Sequence, residues 1–202
     1  MFTKDILDKH SIASVTKHIS MNKGIVLDCR LFGALVEPNV GTTIKDIEYD
    51  FDVYLPKYKI NLQRPYVWER YQQEEFIMSI LLEKPIDPLI VVQEIHDTNR
   101  DNCTNCVIDG KQRLMTIQKF GRNEFPIVLD GKGYYYKDFD NTMQRYLHSR
   151  VNFLSANVYY SYYNKPITDD EKIALFNYYN FTGTPQAKEH KDLLESLVKN
   201  IT

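Results

Sequence analysis

Residues 88–95, Pro-Leu-Ile-Val-Val-Gln-Glu-Ile, place four apolar side chains in a row between a proline and a polar loop at 96–103. A half-exposed strand alternates apolar with polar residues, so an unbroken run this short predicts a strand covered on both faces. A second short strand, Cys106-Val107-Ile108, runs straight into Asp109-Gly110. A helix is expected to follow at once over 111–120, with Leu114, Ile117 and Phe120 turned inward. Any fold for this chain must therefore bury a sheet and leave a strand abruptly for a helix. An apolar fraction of 43% is enough for such a core.

The remaining pattern mixes the two element types. Residues 1–20 suggest a helix with Phe2, Ile6 and Leu7 on one side, and 24–32 suggest a strand. Residues 33–41 read as a connection, and a domain boundary is expected near residue 42. That leaves an N-terminal extension of 1–42 ahead of a domain spanning 43–202. Residues 50–61 alternate and contain Pro56, which suggests an edge strand. Phe76, Ile77, Ile80 and Leu81 form one stripe of a helix over 69–83, ended by Pro85. Short strands at 125–129 and 133–137 flank Asp130-Gly131, a hairpin-turn pair. A helix near 140–149 and a strand over 151–162 follow. Thr168-Asp-Asp-Glu171 is a capping box opening a helix to about Tyr179, and Thr184-Pro185 opens a last one. With helices gathering at the end, the class is α+β.

The strand–Asp–Gly–helix turn carries the sharpest chemistry. The first N–H groups of a helix have no intrahelical partner, and the positive end of the helix dipole stands behind them. Such a terminus is a ready anion site. Gly110 removes the side chain that would block approach, Lys111 adds charge, and Arg113 can form a bidentate contact with phosphate. Asp109 would repel a bare phosphate; it could instead cap the helix, hold a metal ion or orient a water. The structural alternative is a common helix cap with Lys111 and Arg113 facing solvent.

Gln72 and Gln73 each stand four residues before an apolar position of the 69–83 helix, so both lie on its inward side. Upstream is Gln63-Arg64-Pro65-Tyr66-Val67-Trp68, which includes the only tryptophan. Two readings are open. Arg64 could be held as a phosphate clamp in a second wall of an anion site, or the amides could be a hydrogen-bonded network fixing a strand–helix corner.

Gln63–Trp68 with Gln72-Gln73, Ile108-Asp109-Gly110-Lys111-Gln112-Arg113-Leu114, and Phe176-x-x-x-Asn180-x-x-Gly183-Thr184-Pro185 together resemble three signatures of one family. It is the ParB-like N-terminal domain of GmrSD-type and BrxU-type modification-dependent restriction enzymes, and the resemblance runs from about Thr43 to about His190. It implies a ParB/sulfiredoxin-like α+β core with packed C-terminal helices. It also implies nucleotide binding and hydrolysis at Asp109, Gly110, Gln112 and Arg113, with Gln63 and Arg64 nearby and Asn180 and Gly183 in the third signature. The family usually carries Gln where Lys111 stands, and Lys still suits phosphate. On this reading Asp109, Gln112 and Arg113 are catalytic, Asp109 holds Mg²⁺ or a water, and a nucleoside triphosphate is the partner. Restriction members append an HNH nuclease domain, and no His-Asn-His cluster occurs here, so a complete nuclease of that type is not expected, and a separate nuclease subunit is one candidate partner.

Other features bound the alternatives. Lys plus Arg number 25 against 27 Asp plus Glu, a net charge of -2, which argues against coating nucleic acid by bulk electrostatics. A DNA-binding or nicking module would need a local patch around the same turn. A non-enzymatic partner, such as a phage-encoded modulator of a host defence protein, is the third reading. No apolar run is long enough for a bilayer, and the start lacks a signal-peptide core, so a cytoplasmic protein without membrane contact is expected. Three cysteines suit a reducing compartment. Cys103-x-x-Cys106 with His96 and Cys29 offers only one tight ligand pair for zinc. Nine of the fifteen tyrosines cluster at 134–136, 159–163 and 178–179; they suit half-buried packing, with one exposed patch left for a partner or for base stacking.

Overall fold

The structure is a computed structural model that describes residues 1–10, 49–99, 102–152, 154, 156–180 and 196. The strand expected at 24–32, the connection at 33–41 and the boundary near 42 lie outside these residues. So does the helix expected after Thr184-Pro185, apart from Ser196, which is helical. The chain divides into two compact units. The first holds the described residues of Met1–Asp46, Val67–Pro88 and Gln112–Ala156; the second holds those of Ile47–Tyr66, Leu89–Lys111 and Asn157–Thr202. Helices and strands are mixed in both, and the class is α+β.

The second unit contains the sheet. Strands β1 (Tyr49–Asp50), β4 (Leu89–Ile95), β5 (Cys103–Asp109) and β8 (Ala156–Tyr162) are ordered β1-β5-β4-β8. β1 runs parallel to β5, and β4 runs antiparallel to it with Val92 opposite Cys106. Leu89 through Val92 are all buried, so this strand is covered on both faces as its composition predicts. On one face Ile90, Val92, Cys106 and Ile108 pack with Ile173 and Phe176 of helix α5 (Asp169–Asn180). Val53, Leu55 and Leu62 complete that core from the segment before the first motif.

The expected strand over 50–61 is broken into β1 and a two-stranded hairpin, β2 (Tyr54–Leu55) with β3 (Ile60–Asn61). Pro56 cannot donate to a ladder, and Lys59 adopts φ 56, so the chain turns where the alternation suggested it would continue. Thr168 and Glu171 form the expected capping box at the start of α5: the Glu171 carboxylate accepts from Thr168 N–H, and Glu171 N–H donates to Thr168 Oγ1.

The first unit is mainly helical. It contains α1 (Lys4–His10), α2 (Arg70–Leu81), α3 (Lys111–Gly121) from Gln112 onward, and α4 (Asn141–Asn152). A hairpin of β6 (Ile127–Leu129) and β7 (Lys132–Tyr134) joins them. Its turn has Asp130 at φ 51 and Gly131 at φ 74, the two positive angles that a tight two-residue turn requires. Both α2 and α3 end in the same motif. Glu83 at φ 57 donates to Ile80 O while Lys84 N–H reaches Ser79 O. Asn123 at φ 60 donates to Phe120 O while Glu124 N–H reaches Lys119 O. These paired bonds satisfy carbonyls left over at the helix ends.

Helix α4 runs beyond its expected end near residue 149, and β8 starts later than its expected 151. Met143, Leu147 and Val151, all buried, recur every four residues, so the helical stripe outruns the β-favouring side chain of Val151. The N-terminal residues belong to this core. Phe2 is fully buried, stacks on Phe139 at 4.6 Å and lies 5.1 Å from Tyr134. Its backbone bridges to Asp138 O and Asp140 N–H.

Candidate functional site

Each of the first two sequence motifs is cut by the division between units. Gln63–Tyr66 and Asp109–Lys111 fall in the second unit, and Val67-Trp68 with Gln112-Arg113 in the first. Within each unit the two motif halves bond to one another.

In the second unit, the buried Gln63 donates Nε2 to Val107 O at 2.7 Å and to Ile108 O. These carbonyls end the buried strand, so the amide fixes Gln63-Arg64 beside the point where Asp109 and Gly110 leave the sheet. Gly110 takes φ 115, an angle that L side chains rarely adopt, and α3 begins at the next residue. Arg64 is half-buried; among the described residues its guanidinium makes no hydrogen bond or ion pair.

Lys111 does not face solvent. Its side chain is 6% exposed, and its ammonium meets Asp52 Oδ1 at 2.5 Å. Asp52, by contrast, is 74% exposed. The Lys111 hydrogen bond holds the Asp52 carboxyl below its ordinary range, and a side-chain hydrogen bond from Asn61 acts the same way. Asn61 Oδ1 in turn accepts from Gln63 N–H at 2.9 Å. Gln63, Asn61, Asp52 and Lys111 thus form one polar chain linking the first motif to the second. Asp52 and Asn61 escaped the sequence reading because nothing in an alternating 50–61 segment points to a lysine 59 residues away.

In the first unit, Gln112 Oε1 accepts from Val67 N–H at 2.9 Å and from Trp68 N–H at 3.3 Å. Gln73 Nε2 donates to Trp68 O at 2.8 Å, and Gln72 Oε1 accepts from Glu69 N–H at 2.9 Å. The glutamines before the stripe of α2 therefore serve the backbone that enters the helix. Arg113 donates to the carbonyls of Asp87 and, at 3.5 Å, Pro88. Trp68 stands edge-on to Phe76 at 5.4 Å.

The third motif is partly described. Phe176 is buried in the second unit's core, and Asn180 Nδ2 donates to Phe176 O at 3.0 Å, within its own helix. Gly183, Thr184 and Pro185 lie outside the described residues. The zinc alternative finds no support in the strand geometry. Cys103 and Cys106 are three apart on β5 and so point to opposite faces. Burial, followed by the nearby Glu94 charge, pushes the Cys106 thiol up to about 12, so it is a neutral core group. Among the described residues no group of three or more His, Cys, Asp or Glu side chains is arranged to hold a metal ion.

A family model, the N-terminal domain of the GmrSD restriction endonuclease, matches residues 41–201. The chain belongs to this family. Membership associates this domain with restriction, and the matched range includes all three motifs and both sides of the Asp109–Arg113 turn. No match was found among curated proteins or among solved structures. Among the described residues, no helix is long and apolar enough to cross a membrane.

Proposed function

We propose that this GmrSD-family domain, built on a ParB/sulfiredoxin-like core, binds a nucleoside triphosphate at the Asp109–Arg113 turn and hydrolyses it. The observation that carries the reading is the turn itself. A strand end pinned by Gln63, a glycine at φ 115 and an immediate helix start set the positive end of a helix dipole at the turn, an arrangement that favours phosphate. Arg64 supplies charge from the neighbouring segment, and Lys111 and Arg113 supply it from the helix. Gln63 and Gln112 position these segments through the backbone carbonyls and amides they hold. Asp109 orients the attacking water, and Asn180 and Gly183 contribute from the third motif.

Mg²⁺ would fit this donor set. It commonly keeps several waters and takes one or two carboxylates alongside substrate phosphates. Asp109 is the carboxylate at the turn. The ion would neutralise phosphate charge; the protein's part is to position groups and stabilise developing charge. The output of the cycle would serve a nuclease, as a separate subunit or a linked domain, acting on DNA. The alternative role is engagement of a host defence protein.

The test is phosphate release over a panel of NTPs with Mg²⁺, comparing wild type with Asp109→Asn, Arg64→Ala and Arg113→Lys. The expected loss is about 100-fold in rate for Asp109→Asn, with the arginine variants weakening binding. Binding can be followed by the fluorescence of Trp68, the only tryptophan. Equal release by all four proteins would falsify the catalytic assignment.

A further inference from the structure

Lys111 joins two properties that seldom occur together. Its side chain is more than nine-tenths buried, yet its counter-ion is a carboxylate that is 74% exposed. Burying an ammonium without a counter-charge is costly, so the fold requires an anion at this place. The chain supplies one from the short segment between β1 and β2. Asp52 N–H is itself held by Asp50 Oδ1 at 2.9 Å, and Asn61 hydrogen-bonds the Asp52 carboxylate from β3. Asp52 is therefore a tethered anion, preorganised over a cation that immediately follows Asp109-Gly110.

We propose that Asp52 is a specificity-determining residue of the anion site: a built-in competitor that a phosphate group must displace from Lys111. The placement of the phosphate rests on the nucleotide reading above; the competition for Lys111 does not. Displacement exchanges one oxyanion for another, so Lys111 keeps a counter-charge throughout. Asp52, already largely solvated, then moves into water at little cost. The arrangement discriminates by charge. A monoanion gains little over Asp52, whereas a group carrying two or more negative charges gains more. Without a ligand, Asp52 holds the lysine in place and keeps weaker anions out.

The experiment uses the full chain with Asp52→Asn, the double variant Asp52→Asn/Lys111→Met, and wild type. Thermal unfolding is followed in inorganic phosphate and in potassium chloride at equal ionic strength. Phosphate is expected to raise the midpoint of Asp52→Asn by several degrees more than that of wild type, and the double variant is expected to lose the extra response. If Asp52→Asn folds only with added salt, selective rescue by phosphate supports the proposal and equal rescue by chloride overturns it. Equal phosphate responses in Asp52→Asn and wild type also overturn it. ATP affinity, read by Trp68 fluorescence, separates the two proposals. Binding about tenfold tighter in Asp52→Asn supports both. Binding that is unchanged or weaker overturns the competitor role and leaves the nucleotide reading standing. A selective phosphate response with no ATP binding by either protein leaves the competitor role standing and removes the nucleotide reading.

Discussion

The two halves of the motif pair are built from different chemistry. In the first unit Gln112, Gln72 and Gln73 bind main-chain groups and lock the entry to α2. The core beneath is aromatic, with Phe2, Phe120, Phe125 and Phe139 buried. In the second unit Gln63 also holds backbone, but it joins a charged chain through Asn61 and Asp52 to Lys111. The core there is largely aliphatic and carries a second partly buried ion pair, Lys172 with Glu94 at 2.5 Å. Desolvation pulls the Lys172 ammonium down, yet the Glu94 hydrogen bond and charge outweigh it, and the net direction is up. One set of motifs thus serves two ends. On one side it is architecture; on the other it sets a buried ammonium against an exposed carboxylate.

Each unit holds its own probe. Trp68 reports on the first unit, and the buried Cys106 thiol on the second. The largest expected effect is Phe2→Ala. Removing a fully buried ring costs about 3–5 kcal/mol, and denaturant unfolding should show a larger shift by Trp68 fluorescence than by Cys106 labelling. Equal shifts by both probes would show that the two cores unfold together. Next is Gln112→Ala, which leaves two backbone donors without their acceptor and should cost about 2 kcal/mol, read by the same fluorescence. Lys172→Met should act on the other unit. It strips Glu94 of its counter-ion, should cost about 2 kcal/mol, and should show mainly in Cys106 labelling.

Smaller effects come from titration. Hydrogen bonding lowers the Asp52 and Asp170 carboxyls below their usual 3.8, chiefly through Lys111 and Lys57 respectively. Depressed carboxyls contribute stability above their unfolded value and lose it as pH falls through the folded one. Acid unfolding of the second unit should therefore steepen below pH 3.8, and Asp52→Asn should flatten that limb. At the alkaline end, the Cys106 thiol rises from 9.0 to about 12, so its neutral form is favoured in the fold. That contribution is complete below pH 9 and is lost progressively up to about pH 12. In the folded protein at neutral pH, Cys106 should resist a thiol reagent that labels the half-buried Cys103. Rapid labelling of both would contradict the buried face assigned to Cys106.

Much of the framework was legible because it is local. Four apolar residues in a row mark a doubly covered strand, Phe76–Leu81 mark a helix face, and Asp130-Gly131 mark a hairpin. Each signal sits within a few residues of the structure it dictates. Alternation misled at 50–61, where Pro56 and the positive φ of Lys59 break one strand into three. Side-chain propensity misled at Val151, where the helical stripe continues to a β-branched residue.

The turn at Asp109–Arg113 is likewise a matter of sequence alone: a buried strand, a glycine free to take φ 115, and a helix with inward Leu114. Family membership follows from the same string of residues. Where the charges go is settled by contacts distant in sequence. Asp52 and Lys111 are 59 residues apart, and no local preference relates them. They meet because β1 pairs with β5 and because the β2–β3 hairpin carries Asn61 back beside the strand end. Local sequence sets backbone angles and apolar faces, whereas the partner of a buried charge is fixed by sheet pairing across the chain.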